Sequence, residues 1–144
     1  MAENEISVGE FVSRLFEIRF RAAADNILRY GHYRGWLEDQ DERHPEAPLN
    51  RQSAARIVHQ FLRIECNLQD IEDITPATIL KDLYNCRVCA NHIAQIYLRG
   101  IMKAMEYQAD NQTVQIFNHL ETISQHEAEE ILTNISRTLS QVPC

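Results

Sequence analysis

Three stretches of this chain share one pattern: "ISVGEFVSRLFEI" from Ile6, "LNRQSAARIVHQF" from Leu49 and "ISQHEAEEILTNI" from Ile123 align without a gap. A pattern that recurs three times in 144 residues constrains the fold strongly, because each copy must form the same unit and bury its apolar face against neighbours. In each copy an apolar residue precedes a capping residue, Ser7, Asn50 or Ser124, whose side-chain oxygen can accept from a backbone N–H two or three residues on. Glu10 and Glu127 stand where a capping box reaches back to the cap's own N–H, and Ser53 takes that place in the middle copy. Apolar trios follow in step: Phe11, Leu15 and Ile18; Ala54, Val58 and Phe61; Ala128, Leu132 and Ile135. Spacings of four and three put each trio on one helical face.

A second element recurs twice. "ADNILRYGHYRGWL" (residues 24 to 37) and "ANHIAQIYLRGIM" (residues 90 to 102) align when Arg34-Gly35 is set on Arg99-Gly100, which places Asn26 on Asn91 and Leu28 on Ile93. A glycine just past the last apolar turn predicts a left-handed C-cap, with Trp36 and Ile101 folding back onto the preceding turn. Thr75 as cap and Pro76 at the first helical position predict a further short helix over 75–85. Gly and Pro number four each and strand signals are weak, so the expected fold is all-α. About six helices are expected in a single domain over 1–144, made of a half module (1–22), a first module (23–64) and a second (71–140).

The net charge of −7 and the pI near 5.3 argue against a nucleic-acid surface, which needs a basic face. No run of eighteen apolar residues occurs, so no membrane span is expected. "MAENEISVGEF" has neither the basic nor the apolar part of a secretory signal. The chain is therefore expected in the cytoplasm, or at the cell surface if exported by another route. In that compartment the four cysteines are expected as reduced thiols.

A helix that ends in an apolar turn with Gly followed by Ile or Trp and then Met or Leu, a loop, and a second helix opening on a capped Arg-containing start together resemble the S-layer homology module. Residues 23 to 62 look like one such module, and "DLYNCRVCANHIAQIYLRGIMKAM" through "ISQHEAEEILTNI" looks like another. "ISVGEFVSRLF" looks like the second half of a third. The resemblance implies a helical pseudo-trimer of the kind that anchors exported proteins to secondary cell-wall polysaccharide. In that family the arginine and helix N-terminus of a Thr-Arg-Ala-Glu motif meet the anionic sugar. Carried onto this chain, the ligand-binding residues would be Asn50, Arg51 and Ser53, with Ser124, Gln125 and Glu127 in the last copy. Exposed N–H groups beside a guanidinium do make an anion site. Only Asn50-Arg51-Gln52-Ser53 keeps the arginine.

The other candidate is "YNCRVCANHIAQIYLRG" (residues 84 to 100), where Cys86, Cys89 and His92 could supply three zinc ligands, with Cys66, Cys144 or another histidine as a fourth. No second Cys/His pair at tight spacing accompanies them. A redox role for Cys-x-x-Cys would call for a preceding strand in a βαβ unit, which this sequence lacks, so none is expected. The competing reading is a packed helix face on which Cys89 acts as a small hydrophobe. No nucleophile elbow, phosphate-cradling glycine loop or Ser/His/Asp arrangement occurs, so neither catalysis nor a cofactor or metal is expected. The expected role is a non-catalytic binding or scaffolding protein for an anionic glycan or a protein partner. The alternative is a small zinc-binding or thiol-regulatory protein. Two modules and a half would leave a three-part ring open, so self-association as a homodimer is expected to cover its apolar face.

Overall fold

The computed structural model describes residues 4–21 and 25–141. The expected opening of the first module at 23–24 and Cys144, a candidate zinc ligand, lie outside the described residues.

Each repeated segment starts a helix as its caps predict. Ser7 Oγ accepts from Glu10 N–H at 3.2 Å and opens α1 (Val8–Phe20). Asn50 Oδ1 accepts from Ser53 N–H at 2.8 Å and opens α4 (Arg51–Glu65). Ser124 Oγ accepts from Glu127 N–H at 3.0 Å and opens α6 (Gln125–Gln141). Between them lie α2 (Ile27–Arg34), α3 (Asp39–Arg43) and α5 (Arg87–Leu98).

The three starts meet in a closed ring of backbone hydrogen bonds. Ile6 N–H donates to Ile123 C=O at 3.0 Å, Ile123 N–H to Leu49 C=O at 2.8 Å, and Leu49 N–H to Ile6 C=O at 3.0 Å. A second tier repeats the cycle one step outward. Val8 N–H donates to Ala47 C=O (2.9 Å), Arg51 N–H to Glu121 C=O (2.9 Å) and Gln125 N–H to Asn4 C=O (2.6 Å). The first N–H of each of these helices, which the helix itself cannot satisfy, is thus met by the copy next to it. Ile6, Leu49 and Ile123 are fully buried at the centre, and the helical trios pack outward from them. The ring closes within one chain.

The second repeat also ends as expected. Gly35 and Gly100 take left-handed φ of 98° and 73°. Trp36 N–H then reaches back to Gly31 C=O and Ile101 N–H to Ile96 C=O, both at 3.0 Å, and both side chains are buried.

The all-α expectation is wrong. Met105–Ala109 (β1) and Gln112–Ile116 (β2) form an antiparallel hairpin, making the fold mixed α/β. Its turn is Asp110-Asn111, with φ of 51° and 63°, the doubly left-handed pair that a tight hairpin demands. Only Val114 of the two strands is buried, although Met105, Tyr107 and Ala109 alternate with Glu106 and Gln108 in the sequence. Lys81 N–H donates to Gln115 C=O at 2.9 Å and ties the far edge of β2 to the body. The helix expected over 75–85 is two short 3₁₀ segments, Thr75–Ile79 and Leu83–Asn85, and Thr75 is not its side-chain cap: its own N–H donates to Asp73 Oδ1 at 3.0 Å.

Candidate functional site

The six residues expected to bind ligand are largely occupied in holding the ring together. Asn50 and Ser124 spend their oxygens on caps, Ser53 supplies the N–H that Asn50 receives, and Gln125 donates through Nε2 to Glu5 C=O at 3.3 Å. Arg51 is only 3% exposed. Its Nε donates to Phe117 C=O at 2.7 Å, Nη2 to Lys103 C=O and Nη1 to the Glu127 carboxylate, while the guanidinium lies 4.6 Å over the Phe117 ring. The Glu127 carboxylate therefore serves Arg51 rather than completing a capping box. Burial pushes the Glu127 carboxyl above its ordinary range, against the pull of the adjacent Arg51 charge, and draws Arg51 below its own. Phe117 and Lys103, the other partners of Arg51, carry no motif that sequence reasoning could have found.

Above this pair runs a groove between residues 100–105 and α6. One compartment, about 270 Å³, is lined by Arg51, Met102, Met105, His126, Glu127 and Asn134. Its neighbour, about 450 Å³, shares Lys103, His126, Glu130 and Asn134 and adds Glu129, Thr133 and Arg137. The Met105 thioether and the Lys103 ammonium come from the 100–105 side, and imidazole, amide, guanidinium and carboxylate groups come from α6.

The second candidate is at the interface of α4 and α5. His59 Nε2 lies 2.7 Å from Asp70 Oδ1, and His59 Nδ1 lies 2.7 Å from His92 Nδ1. With a neutral His59 donating Nε2–H to Asp70, its Nδ1 accepts from His92 Nδ1–H. Burial lowers the His59 pKa, and burial with the facing His59 lowers that of His92 to about 4. Asn91 donates to the other Asp70 oxygen at 3.0 Å, Gln95 brackets Ile71 through its N–H (2.8 Å) and C=O (2.9 Å), and Arg99 donates to Gln69 C=O. Asn91, Gln95 and Arg99, spaced by four, thus fasten residues 69–71 along one face of α5.

Cys86 and Cys89 are bonded to each other in a disulfide, contrary to the expectation of reduced thiols. In that state neither offers a thiolate to zinc, and His92 is turned to His59. Among the described residues no group of three or more His, Cys, Asp or Glu side chains is placed to hold a metal ion, and no helix is long and apolar enough to cross a membrane.

Comparison with family models, curated proteins and solved structures finds no match to this chain.

Proposed function

We propose that this chain is a non-catalytic binding module of the S-layer homology kind, and that a cell-wall glycan lies in the groove between residues 100–105 and α6. The observation that carries this reading is the closed ring of Ile6, Leu49 and Ile123, because three equivalent helix starts around one axis match the pseudo-trimer that the resemblance implies. The lining of the groove supports a sugar polymer: Met105 offers apolar surface to a ring face, and Asn134, His126 and Thr133 offer partners to hydroxyls.

The charge of the ligand would be met differently from the family pattern. Arg51 is already balanced by Glu127 and lies beneath the groove as a positioning group. An acidic substituent on the glycan would be held by Lys103 and Arg137, whose side chains line the outer compartment. Such exposed pairs contribute modestly and weaken with salt.

Co-sedimentation with cell-wall sacculi, intact or stripped of secondary polysaccharide, tests this reading. The protein should pellet with intact sacculi and stay in solution with stripped ones. Equal partition between the two would refute the glycan reading and leave a protein ligand.

A further inference from the structure

We propose that Cys86 and Cys89 form a thiol–disulfide exchange site that acts on protein or peptide disulfides, a function separate from the glycan groove. The pair is bonded across the first turn of α5, with Cys86 at the N-cap position and Cys89 three residues on. A disulfide that closes so short a loop restrains the unfolded chain very little, so fold stability is a poor reason for it. Its surroundings suit exchange better. The start of α5 has no side-chain cap and no acidic residue in its first turn, so the positive end of its dipole favours a thiolate at Cys86. Arg87, exposed between the two cysteines, adds a positive charge.

The two sulfurs are unequal in the way that stepwise exchange needs. Cys86 is partly exposed, whereas Cys89 is 8% exposed and packed into the core. Tyr84 and Val88 flank them at 58% and 85% exposure and present apolar surface to a chain docking at Cys86.

In the reduced protein the Cys86 thiolate attacks one sulfur of a substrate disulfide. A Cys86–substrate disulfide forms, the substrate S–S bond breaks, and the departing thiolate takes a proton from water. Cys89, after losing its proton to water, attacks Cys86 Sγ. The Cys86–Cys89 bond forms and the second substrate thiolate leaves. Two electrons pass from the protein dithiol to the substrate disulfide, and an external dithiol returns the protein to its reduced form while becoming a disulfide itself.

The test uses the full chain, first reduced with dithiothreitol and then exposed to a disulfide-linked peptide dimer. Cys89→Ser should accumulate a mixed disulfide that peptide mass mapping places at residue 86, and Cys86→Ser should accumulate at least tenfold less at residue 89. Circular dichroism shows whether each variant is folded. In the unmodified protein, equilibration with glutathione redox buffers should interconvert the pair without change in far-ultraviolet signal. Absence of a Cys86 adduct in folded Cys89→Ser, equal adducts at both positions, or reduction of the pair only upon unfolding would each overturn the proposal. If neither variant folds, the glutathione equilibration alone decides.

Discussion

His59 and His92 face each other Nδ1 to Nδ1 at 2.7 Å, with Asp70 on the far nitrogen of His59, and burial disfavours a charge on either ring. In the unfolded chain each ring takes up a proton near pH 6.5. In the folded chain His92 resists until about pH 4, and His59 is shifted in the same direction. The unfolded state therefore binds more protons across that window, and stability must fall as pH is lowered from about 6.5 to about 4. Discounted for partial solvent access, the loss should be about 1 to 2 kcal/mol. Urea titrations at a series of pH values measure it. A His92→Asn variant, which keeps a donor for His59 without a titrating ring, should show a shallower decline.

Arg51 satisfies three acceptors at once, namely Phe117 C=O, Lys103 C=O and the Glu127 carboxylate. Truncating it to Ala strands all three, and the expected cost is about 3–5 kcal/mol, the range for breaking a buried ion pair. Lys cannot reproduce the planar fork and should recover only part of that. The double variant Arg51→Met, Glu127→Leu should be more stable than Arg51→Ala. A chemical denaturation midpoint for Arg51→Ala close to the parent's would show that the guanidinium is not what holds residues 103 and 117 to α4.

The ring makes a prediction about coupling. Ile6→Ala, Leu49→Ala and Ile123→Ala each remove a fully buried side chain and should cost about 2–5 kcal/mol. Because the three positions are joined by backbone hydrogen bonds around one centre, paired substitutions should depart from additivity by at least about 0.5 kcal/mol. Strict additivity in a double-mutant cycle would mean that the three starts are energetically independent.

Gly31 sits inside α2, where Ala would ordinarily favour the helix by about 1 kcal/mol. Here a Cβ would lie 2.6 Å from Leu37 Cδ1 and 3.1 Å from Trp36 Cζ2, which the Gly35 turn folds back against the helix. Overpacking should prevail, so that Gly31→Ala is destabilising by about 1–3 kcal/mol in thermal unfolding.

Much of this architecture could be read from the sequence because its signals are local. Ser7, Asn50 and Ser124 cap helices, Gly35 and Gly100 end them, and the three repeats align because their residues are chemically similar. The hairpin was missed because its signal is faint: Met105, Tyr107 and Ala109 alternate with Glu106 and Gln108 over only five residues, and Asp110-Asn111 turns the chain without the usual glycine. The fate of Arg51 was equally hidden. A cap-adjacent arginine reads as an open anion site, and only the long-range return of Phe117, Lys103 and Glu127 shows it enclosed. Asp70 had no pattern of its own, yet Asn91, already conspicuous by its recurrence, pointed along the α5 face that holds it.

We propose that the groove over Arg51 and α6 binds an acidic wall glycan through Lys103 and Arg137. Isothermal calorimetry of the purified polysaccharide with the parent protein and with the Lys103→Ala, Arg137→Ala variant, at low and high salt, tests it most directly. Binding that weakens with salt and falls at least tenfold in the variant, with unfolding midpoints unchanged, is the expected result. No heat of binding to the parent protein, or equal affinity in the variant, would contradict it.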